Sequence, residues 1–300
     1  MSLLVVGSVA LDSIYTPSDK RENILGGSAV FSAFAASFFC PVRLVGVVGE
    51  DWNPQHTAAL GKQGINTEGL EVVKGGKTFR WTGKYFDNMN DRETLETQLN
   101  VLGDFKPKLP ESCRRSEFIF LGNGAPSTGL EALDQLQGPG LVVADTMDLW
   151  INIAIDDLKE LMRRIDGLVL NDSEAKMLTG ELNTITAGKK ILNYGPKFVV
   201  VKKGEHGALF MSEYEIYAVP AFPTESVIDP TGAGDSFAGA MVGYLASQGK
   251  LDTETIKKAL VYGTLTASFC VEGFSLDRFQ EISRKDIDAR LEIFRNITQF

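Results

Sequence analysis

The stretch VIDPTGAGDSFAGAMVGYLA, residues 227–246, places three small residues and an acid at the start of an apolar helical pattern. Pro230 breaks any preceding helix, because the residue before a proline is pushed towards extended geometry. The glycines of Gly232-Ala233-Gly234 allow a tight turn and close approach of a ligand to the backbone. Free N–H groups and the positive dipole end at a helix start favour anions. The segment therefore predicts a phosphate-binding loop.

Asp235 lies where this loop meets the helix, and the segment lacks the lysine of the P-loop pattern GxxxxGK[ST]. An acid beside an anion site disfavours static binding of phosphate. It suits a group that takes a proton from a hydroxyl as that hydroxyl attacks a phosphoryl group. The alternative is that Asp235 caps the helix, as aspartate often does. The residues by themselves leave both roles open.

Short apolar runs typical of buried strands alternate with helical patterns along the chain. The predicted strands cover residues 3–10, 42–49, 117–123, 141–146, 167–172 and 197–204. The predicted helices cover residues 28–39, 156–165, 173–179, 184–194 and 253–264, with a further helix from about Asp235. This alternation predicts one α/β domain over residues 1–300, built on a doubly wound, mostly parallel sheet. Gly239 and Gly243 lie one turn apart, so we expect their helix to pack closely against a neighbour.

Residues 76–103 interrupt the alternation. Within them, residues 77–86 and 92–102 read as two strands joined by the turn-forming stretch DNMND. A β-hairpin inserted into a parallel core predicts a lid, with Arg80 and Trp81 as candidate lid contacts. The alternatives are a hairpin that only covers the core and one that mediates a homodimer.

The composition excludes several classes of protein. The chain has 300 residues, 44% of them hydrophobic, and a net charge of −9, which argues against a nucleic-acid partner. Three dispersed cysteines and two distant histidines predict neither a disulfide framework nor a zinc site, so we expect a reducing, cytoplasmic location. The chain opens without a signal-peptide pattern, and we expect no membrane-spanning segment.

The stretch DPTGAGDSFAGA closely resembles the C-terminal signature of the PfkB carbohydrate kinases, the ribokinase-like family. Four further stretches resemble family landmarks in the same order: GSVALD, GGSAVFSAFAA, NDSE and VVVKKGEHGALF. The resemblance spans nearly the whole chain, and the hairpin lies where the family inserts its lid. It implies a ribokinase-like fold, and ATP- and Mg²⁺-dependent phosphorylation of a hydroxyl on a sugar or a sugar-like small molecule.

The resemblance also implies roles for individual residues. Asp235 corresponds to the general base, and the backbone of Gly232, Ala233 and Gly234 to the anion hole. The positions that correspond to acceptor binding are Asp12, Gly26, Gly27 and Ser28. Those that correspond to nucleotide binding are Asn171, Glu174, Lys202, Gly204 and Gly207.

Two ion sites follow from the same resemblance. Asn171 and Glu174 would organise Mg²⁺ through water, in keeping with the few protein ligands that Mg²⁺ takes. For NDSE alone, the alternative is a helix N-cap. Asp229 and Thr231 correspond to a K⁺ site in many relatives, completed by carbonyls within residues 268–276. Ordinary turn chemistry is the alternative for these two residues.

Phe31 departs from the family pattern GGxxxN, whose asparagine binds an acceptor hydroxyl. A phenylalanine offers no hydrogen bond, so we expect an acceptor other than ribose alone. Its ring either faces a base or a cyclitol ring, or turns into the core beside Phe34 and Phe38. Asp145 follows a predicted strand at its carboxyl end, where ligands gather in open α/β sheets, and is a candidate for positioning acceptor or phosphate.

Other functions remain as alternatives. Within the family, they are a nucleoside kinase of the adenosine type and a cyclitol kinase. A dinucleotide-dependent oxidoreductase is disfavoured, because the first strand is followed by no GxGxxG. The last alternative is a catalytically inactive homologue that binds a small molecule.

Overall fold

The computed structural model describes residues 1–299, which form two β-sheets and the helices around them. The larger sheet has nine strands. In spatial order they are β13 (Ile216–Val219), β12 (Ala208–Ser212), β11 (Phe198–Lys202), β10 (Gly167–Asn171), β9 (Leu141–Asp145), β8 (Phe118–Leu121), β1 (Leu3–Val6), β4 (Val42–Gly49) and β5 (Ile65–Val73). Strands β11 to β5 are parallel, whereas β12 and β13 are antiparallel additions at one edge.

Twelve helices are assigned within the described residues. They are α1 (Ser28–Ser37), α2 (Pro54–Lys62), α3 (Glu111–Arg114), α4 (Pro126–Leu133), α5 (Asp148–Ile153), α6 (Ile155–Met162), α7 (Asp172–Thr179), α8 (Thr184–Leu192), α9 (Ala233–Gln248), α10 (Thr253–Cys270), α11 (Asp277–Glu281) and α12 (Arg284–Thr298). Between residues 1 and 299, no helix is both long and apolar enough to cross a bilayer.

Helices cover both faces of the larger sheet, and β1 shows how the sequence produces this. Leu3 and Val5 point into a core that they share with α1, α9 and α10. Leu4 and Val6 point into a second core that they share with α4, α6 and α8. Because successive side chains of a strand alternate between faces, a strand buried on both sides must be apolar throughout. The predicted doubly wound, mostly parallel α/β fold is confirmed.

The smaller sheet differs from the predicted two-stranded hairpin. It has four strands: β3 (Lys20–Gly26), β2 (Ala10–Tyr15), β6 (Phe79–Tyr85) and β7 (Arg92–Gln98). The predicted strand 3–10 is therefore too long: β1 ends at Val6, and Ala10 already begins β2 of the other sheet. Strand β2 runs parallel to β6, which follows more than 60 residues later. Local sequence patterns carry no signal for so distant a pairing.

Helices α1 and α9 pack with their backbones in close contact, as the two glycines of α9 predict. A Cβ built on Gly239 would lie 2.2 Å from the carbonyl oxygen of Ser32. One built on Gly243 would lie 2.8 Å from Cα of Ala36. This contact fixes the start of α9 against the larger sheet, and the phosphate-binding loop predicted from the sequence lies at that start.

Candidate active site

Polar side chains gather where three neighbouring parallel strands end. Asp145, Asn171 and Lys202 are the last residues of β9, β10 and β11. The carboxyl ends of parallel strands lie along one edge of a sheet, where open α/β proteins bind their ligands. Separate stretches of sequence are thereby brought to one cleft.

The loop Gly232-Ala233-Gly234 forms the start of α9. Gly232 is the N-cap residue with a φ of 76°, a left-handed conformation that favours glycine. Its carbonyl accepts the first helical bond, from the Ser236 N–H at 2.8 Å. The helix start therefore presents free N–H groups and the positive end of its dipole to the cleft.

A lysine lies beside this loop although the local sequence contains none. A Cβ built on Gly234 would lie 2.8 Å from Nζ of Lys202, at the end of β11. Nζ also forms an ion pair with Asp145 Oδ2 at 3.1 Å. Burial acts to lower the pKa of Lys202, but the carboxylates of Asp145, Glu174 and Asp235 outweigh it and raise that pKa overall. The lysine is therefore charged, and its charge lies next to the anion loop.

Asp235 lies in the first turn of α9, and the structure shows no side-chain hydrogen bond that caps this helix. Burial, followed by the charge of Asp145, raises the pKa of Asp235 to about 7, against the opposing charges of Lys202 and Arg92. A carboxyl group with a pKa near neutrality can both accept and release a proton at physiological pH.

Asp12 lies on β2, in the smaller sheet. Its carboxyl group accepts a hydrogen bond from the Gly27 backbone, and a Cβ on Gly26 would collide with it. Burial raises the pKa of Asp12 to about 8, with smaller contributions from the charges of Asp229 and Asp235. Asp12 on the smaller sheet and Asp235 at the start of α9 are thus close enough for their charges to interact.

The side chains of Ser28 and Phe31 are both buried against other parts of the protein, and their roles in substrate binding remain predictions. The Ser28 hydroxyl donates to the backbone carbonyl of Asn123 at 3.0 Å and lies 3.1 Å from Ser8 Oγ. Phe31 is 1% exposed, and a Cβ on Gly232 would lie 2.4 Å from its ring. Of the two orientations open for Phe31, the structure has the one that turns into the core, where the ring supports the anion loop.

Asp229 and Thr231 form the turn that leads into the loop. Asp229 is 1% exposed, and its Oδ1 accepts a hydrogen bond from the Thr231 N–H at 2.9 Å. Its Oδ2 has no partner among the described residues. Burial raises the pKa of Asp229 to about 6, although the bonds from Thr231 act to lower it. The N–H groups of Ile228 and Asp229 both donate to the Val271 carbonyl, so part of the predicted segment 268–276 lies beside this turn.

Asn171 and Glu174 form a capping box at the start of α7. Asn171 Oδ1 accepts from the Glu174 N–H at 2.8 Å, and Glu174 Oε2 accepts from the Asn171 N–H at 2.7 Å. The capping alternative for NDSE is therefore present in the structure. Burial raises the pKa of Glu174 to about 7, with the charge of Lys202 opposing it. Among residues 1–299, no cluster of three or more acidic, histidine or cysteine side chains is arranged to hold a metal by itself.

A cavity of about 440 Å³ opens beside the anion loop. Lys202, Gly204 and Gly207 line it together with Ala233 and Gly234, so the predicted nucleotide-binding glycines lie at one cavity. Gly204 and Gly207 have φ values of 56° and 86°. The rest of the wall comes from α10, from residues 221–227 and from the turn between β6 and β7.

Two residues of the smaller sheet were missed by the sequence analysis. The charge of Arg92 on β7 acts on Asp235 and Glu174 and partly offsets the rise in their pKa values that burial causes. Tyr85 on β6 is 5% exposed, and its Oη accepts a hydrogen bond from the Thr231 hydroxyl at 3.1 Å. No local signal distinguishes them from other polar residues of a hairpin, because their role depends on how the two sheets meet.

The two predicted lid contacts lie on opposite faces of the smaller sheet, because neighbouring side chains of a strand alternate. Trp81 packs on the apolar cluster of Ile14, Tyr85 and Phe274, so it belongs to the inner face. Arg80 pairs with Asp51 at 2.8 Å. Of the two, only Trp81 lies on the face that carries Asp12.

Comparisons with known proteins agree with this geometry. The sequence model of the pfkB family of carbohydrate kinases matches residues 2–281. A cytidine kinase from Thermococcus kodakarensis is 28% identical over 268 residues, which are 87% of this chain and 94% of that protein.

Two solved structures show the same fold. One is a nucleoside kinase from Burkholderia thailandensis in complex with inosine. Its TM-score is 0.79 at 20% identity, covering 99% of each chain. The other is an E. coli protein provisionally classed as a ribokinase II, in complex with ATP and Mg²⁺. Its TM-score is 0.78 at 18% identity, covering 97% of this chain and 99% of that one. Because the family model matches most of the chain, the protein is an ATP-dependent phosphotransferase of the kind that acts on sugars or nucleosides, and it belongs to the pfkB carbohydrate kinase family.

Proposed function

We propose that the protein is a nucleoside kinase, which transfers the terminal phosphoryl group of ATP to a sugar hydroxyl of a nucleoside. The observation that carries this proposal is the pairing of Asp12 with Trp81. The two residues are direct neighbours across β2 and β6. Asp12 supplies a carboxyl group for sugar hydroxyls, and Trp81 supplies an aromatic surface beside it.

A nucleoside presents two kinds of surface to its binding site. Its ribose hydroxyls need polar partners, and its flat base stacks on aromatic rings. Trp81 is partly exposed on the inner face of the smaller sheet, and the guanidinium of Arg92 lies 5.5 Å from its ring centre. A free sugar would use the carboxyl group but would leave the tryptophan without a matching partner. The similarity to a cytidine kinase over most of both chains supports the same choice.

In this proposal Asp235 accepts the proton of the attacking hydroxyl, since its pKa of about 7 lies near the operating pH. Lys202 and the N–H groups at the start of α9 stabilise the negative charge of the transferring phosphoryl group. Asn171 and Glu174 would hold Mg²⁺ through water. The buried carboxyl group of Glu174 fits this role, and the metal would neutralise charge on the nucleotide phosphates.

A monovalent cation site at Asp229 and Thr231 is part of the proposal. Asp229 Oδ2 is buried and unpartnered among the described residues, and an orphaned carboxylate oxygen is costly unless a cation or a proton satisfies it. K⁺ bound there would lie just before the anion loop in the sequence. Activity in KCl compared with tetramethylammonium chloride tests this site, and equal rates in the two salts would refute it.

We propose that the smaller sheet is the lid of this site. Two contacts that join the hairpin of β6 and β7 to the rest of the protein support this role. The first is the bond between Tyr85 and Thr231, and the second joins Asn90 Nδ2 to Glu205 Oε1 at 2.9 Å. Both connect the smaller sheet to segments beside the anion loop and the cavity.

The acceptor is tested by measuring ADP release with ATP and Mg²⁺ in the presence of cytidine, adenosine, inosine, ribose, fructose or myo-inositol. We expect efficient turnover with at least one nucleoside and poor turnover with ribose. Trp81→Ala should raise the KM for the nucleoside much more than that for ribose, whereas Trp81→Phe should retain most of the stacking. Efficient turnover of ribose, with all nucleosides inert, would refute the proposal.

A further inference from the structure

The lining of the cavity beside the anion loop has two chemically different parts. Lys202 and Gly234 lie close together and form the charged part, which suits phosphate groups. Phe222 and Ser268 belong to the part contributed by residues 221–227 and by α10. If the phosphates of ATP lie beside Lys202, this second part of the lining is available to the nucleobase.

Arg290 on α12 contacts this wall from behind. One guanidinium nitrogen donates to Ser268 Oγ at 2.7 Å, and another pairs with Glu272 Oε1 at 2.8 Å. The guanidinium carbon lies 4.8 Å from the ring centre of Phe222. The side chain is only 13% exposed, so these contacts are shielded from water.

The hydrogen bonds that Ser268 already makes leave its hydroxyl with one free hydrogen-bonding site. A serine hydroxyl has one proton to donate and two lone pairs that accept. The proton goes to the Leu265 carbonyl at 2.7 Å, because a carbonyl oxygen can only accept. One lone pair takes the N–H of Arg290, because a guanidinium can only donate. What remains for a ligand is one acceptor lone pair.

We propose that Arg290 is a positioning residue for the donor nucleotide. Arg290 occupies one lone pair of Ser268 Oγ and, together with the Leu265 carbonyl, holds this oxygen with its second lone pair free to accept; it also supports Phe222. The cavity would thereby select a nucleobase with an exocyclic amino group over one with a carbonyl group at that position. The inference rests on the proposed placement of the nucleotide in this cavity, with the phosphates at Lys202 and the anion loop, which would not distinguish one base from another.

The test compares ATP with inosine 5′-triphosphate, which carries a carbonyl group in place of the amino group. Binding is measured by calorimetric titration of the full chain, with inorganic tripolyphosphate as a ligand that lacks a base. The wild type should bind ATP about three- to tenfold more tightly than inosine triphosphate, which corresponds to one hydrogen bond. Ser268→Ala and Arg290→Lys should each bring this ratio close to one and leave tripolyphosphate affinity unchanged.

Arg284→Lys is the matched control. Arg284 lies on the same helix, pairs with Asp288 at 2.9 Å, and stacks on Phe39 and Tyr262, neither of which lines the cavity. Arg284→Lys should therefore keep the wild-type ratio of affinities for ATP and inosine triphosphate. A wild-type ratio of one, or a ratio that survives both Ser268→Ala and Arg290→Lys, overturns the inference.

Ala267→Phe distinguishes a failure of the inference about Arg290 from a failure of the proposed nucleotide site. Ala267 lines the cavity, and a phenylalanine there would fill it. If ATP affinity is unchanged in Ala267→Phe, the donor does not bind in this cavity, and the site assignment and the inference are both wrong. If ATP affinity falls but the ratio of Arg290→Lys equals that of the wild type, only the inference is wrong.

Discussion

Replacing Asp235 with asparagine removes the proposed proton acceptor while keeping the size and shape of the side chain. Loss of a general base typically costs about 10²–10⁴-fold in rate. Because the pKa of Asp235 is about 7, we expect the wild-type kcat/KM to fall on acidification, to about a tenth of its plateau at pH 6. The variant has no carboxyl group to protonate at this position. The ratio of wild-type to variant kcat/KM should therefore be about tenfold smaller at pH 6 than at pH 8.

The assay measures kcat, acceptor KM and ATP affinity for both proteins between pH 6 and pH 8. ATP affinity should be retained or slightly increased in Asp235→Asn, because a negative charge leaves the neighbourhood of the phosphates. Asp252→Asn is the matched control. Asp252 is the N-cap residue of α10 and accepts a hydrogen bond from the Thr255 N–H at 2.8 Å. This control variant should change the melting temperature slightly and leave kcat at its wild-type value.

Retention of more than about a tenth of the wild-type kcat at pH 8 in Asp235→Asn would refute the reasoning, since that is less than the smallest loss expected for a general base. If the deficit is about 10²-fold or more but identical at pH 6 and pH 8, Asp235 is still needed for activity. The loss of wild-type activity at low pH would then not come from protonation of this carboxyl group.

Three further predictions concern the acceptor side and the anion loop. Asp12→Ala should raise the acceptor KM by about one to two orders of magnitude, because it removes two hydrogen bonds to acceptor hydroxyls worth about 0.5–1.5 kcal/mol each, and an unchanged KM would show that Asp12 does not touch the substrate. Burial raises the pKa of Asp12 from 3.8 to about 8, so the wild-type protein loses stability as pH rises between those values. Asp12→Asn has no carboxyl group to ionise here, so the difference in melting temperature between this variant and the wild type should change in favour of the variant from pH 5 to pH 8. A constant difference would contradict the shifted pKa. Gly234→Val should weaken ATP binding, because its Cβ would lie 2.8 Å from Lys202 Nζ, and wild-type ATP affinity in this variant would show that the loop does not hold the phosphates.

The sequence predicts those parts of the molecule that are encoded locally. The apolar runs of β4 and β9 and the glycines of α9 carry their own signals, since a strand buried on both faces and a closely packed helix each restrict residue type. The small residues before Asp235 likewise identify a helix start that can receive an anion. These features need no knowledge of what lies opposite them in the fold.

The features that the sequence does not predict all depend on contacts between distant segments. The pairing of β2 with β6 joins residues far apart in the chain, so no local pattern indicates that Asp12 belongs to a second, smaller sheet. The family resemblance implies that Lys202 binds the nucleotide, but no local pattern shows that it reaches the anion loop from another strand. Phe31 departs from the family pattern in a way that suggests a binding role, yet the structure places its ring beneath Gly232. Residue type alone does not determine which way a helical side chain faces.

The close packing of α1 against α9 has a consequence for synthesis of the protein. Nine of the ten residues of α1 are buried, and the helix that covers them begins about 200 residues later in the chain. At a translation rate of about 5–20 residues per second, α1 leaves the ribosome about 10–40 s before its cover exists. During that interval a helix rich in phenylalanine and alanine has no native partner along this face. Until α9 emerges, we expect this face of the nascent chain to be buried transiently elsewhere or to be bound by a holding chaperone.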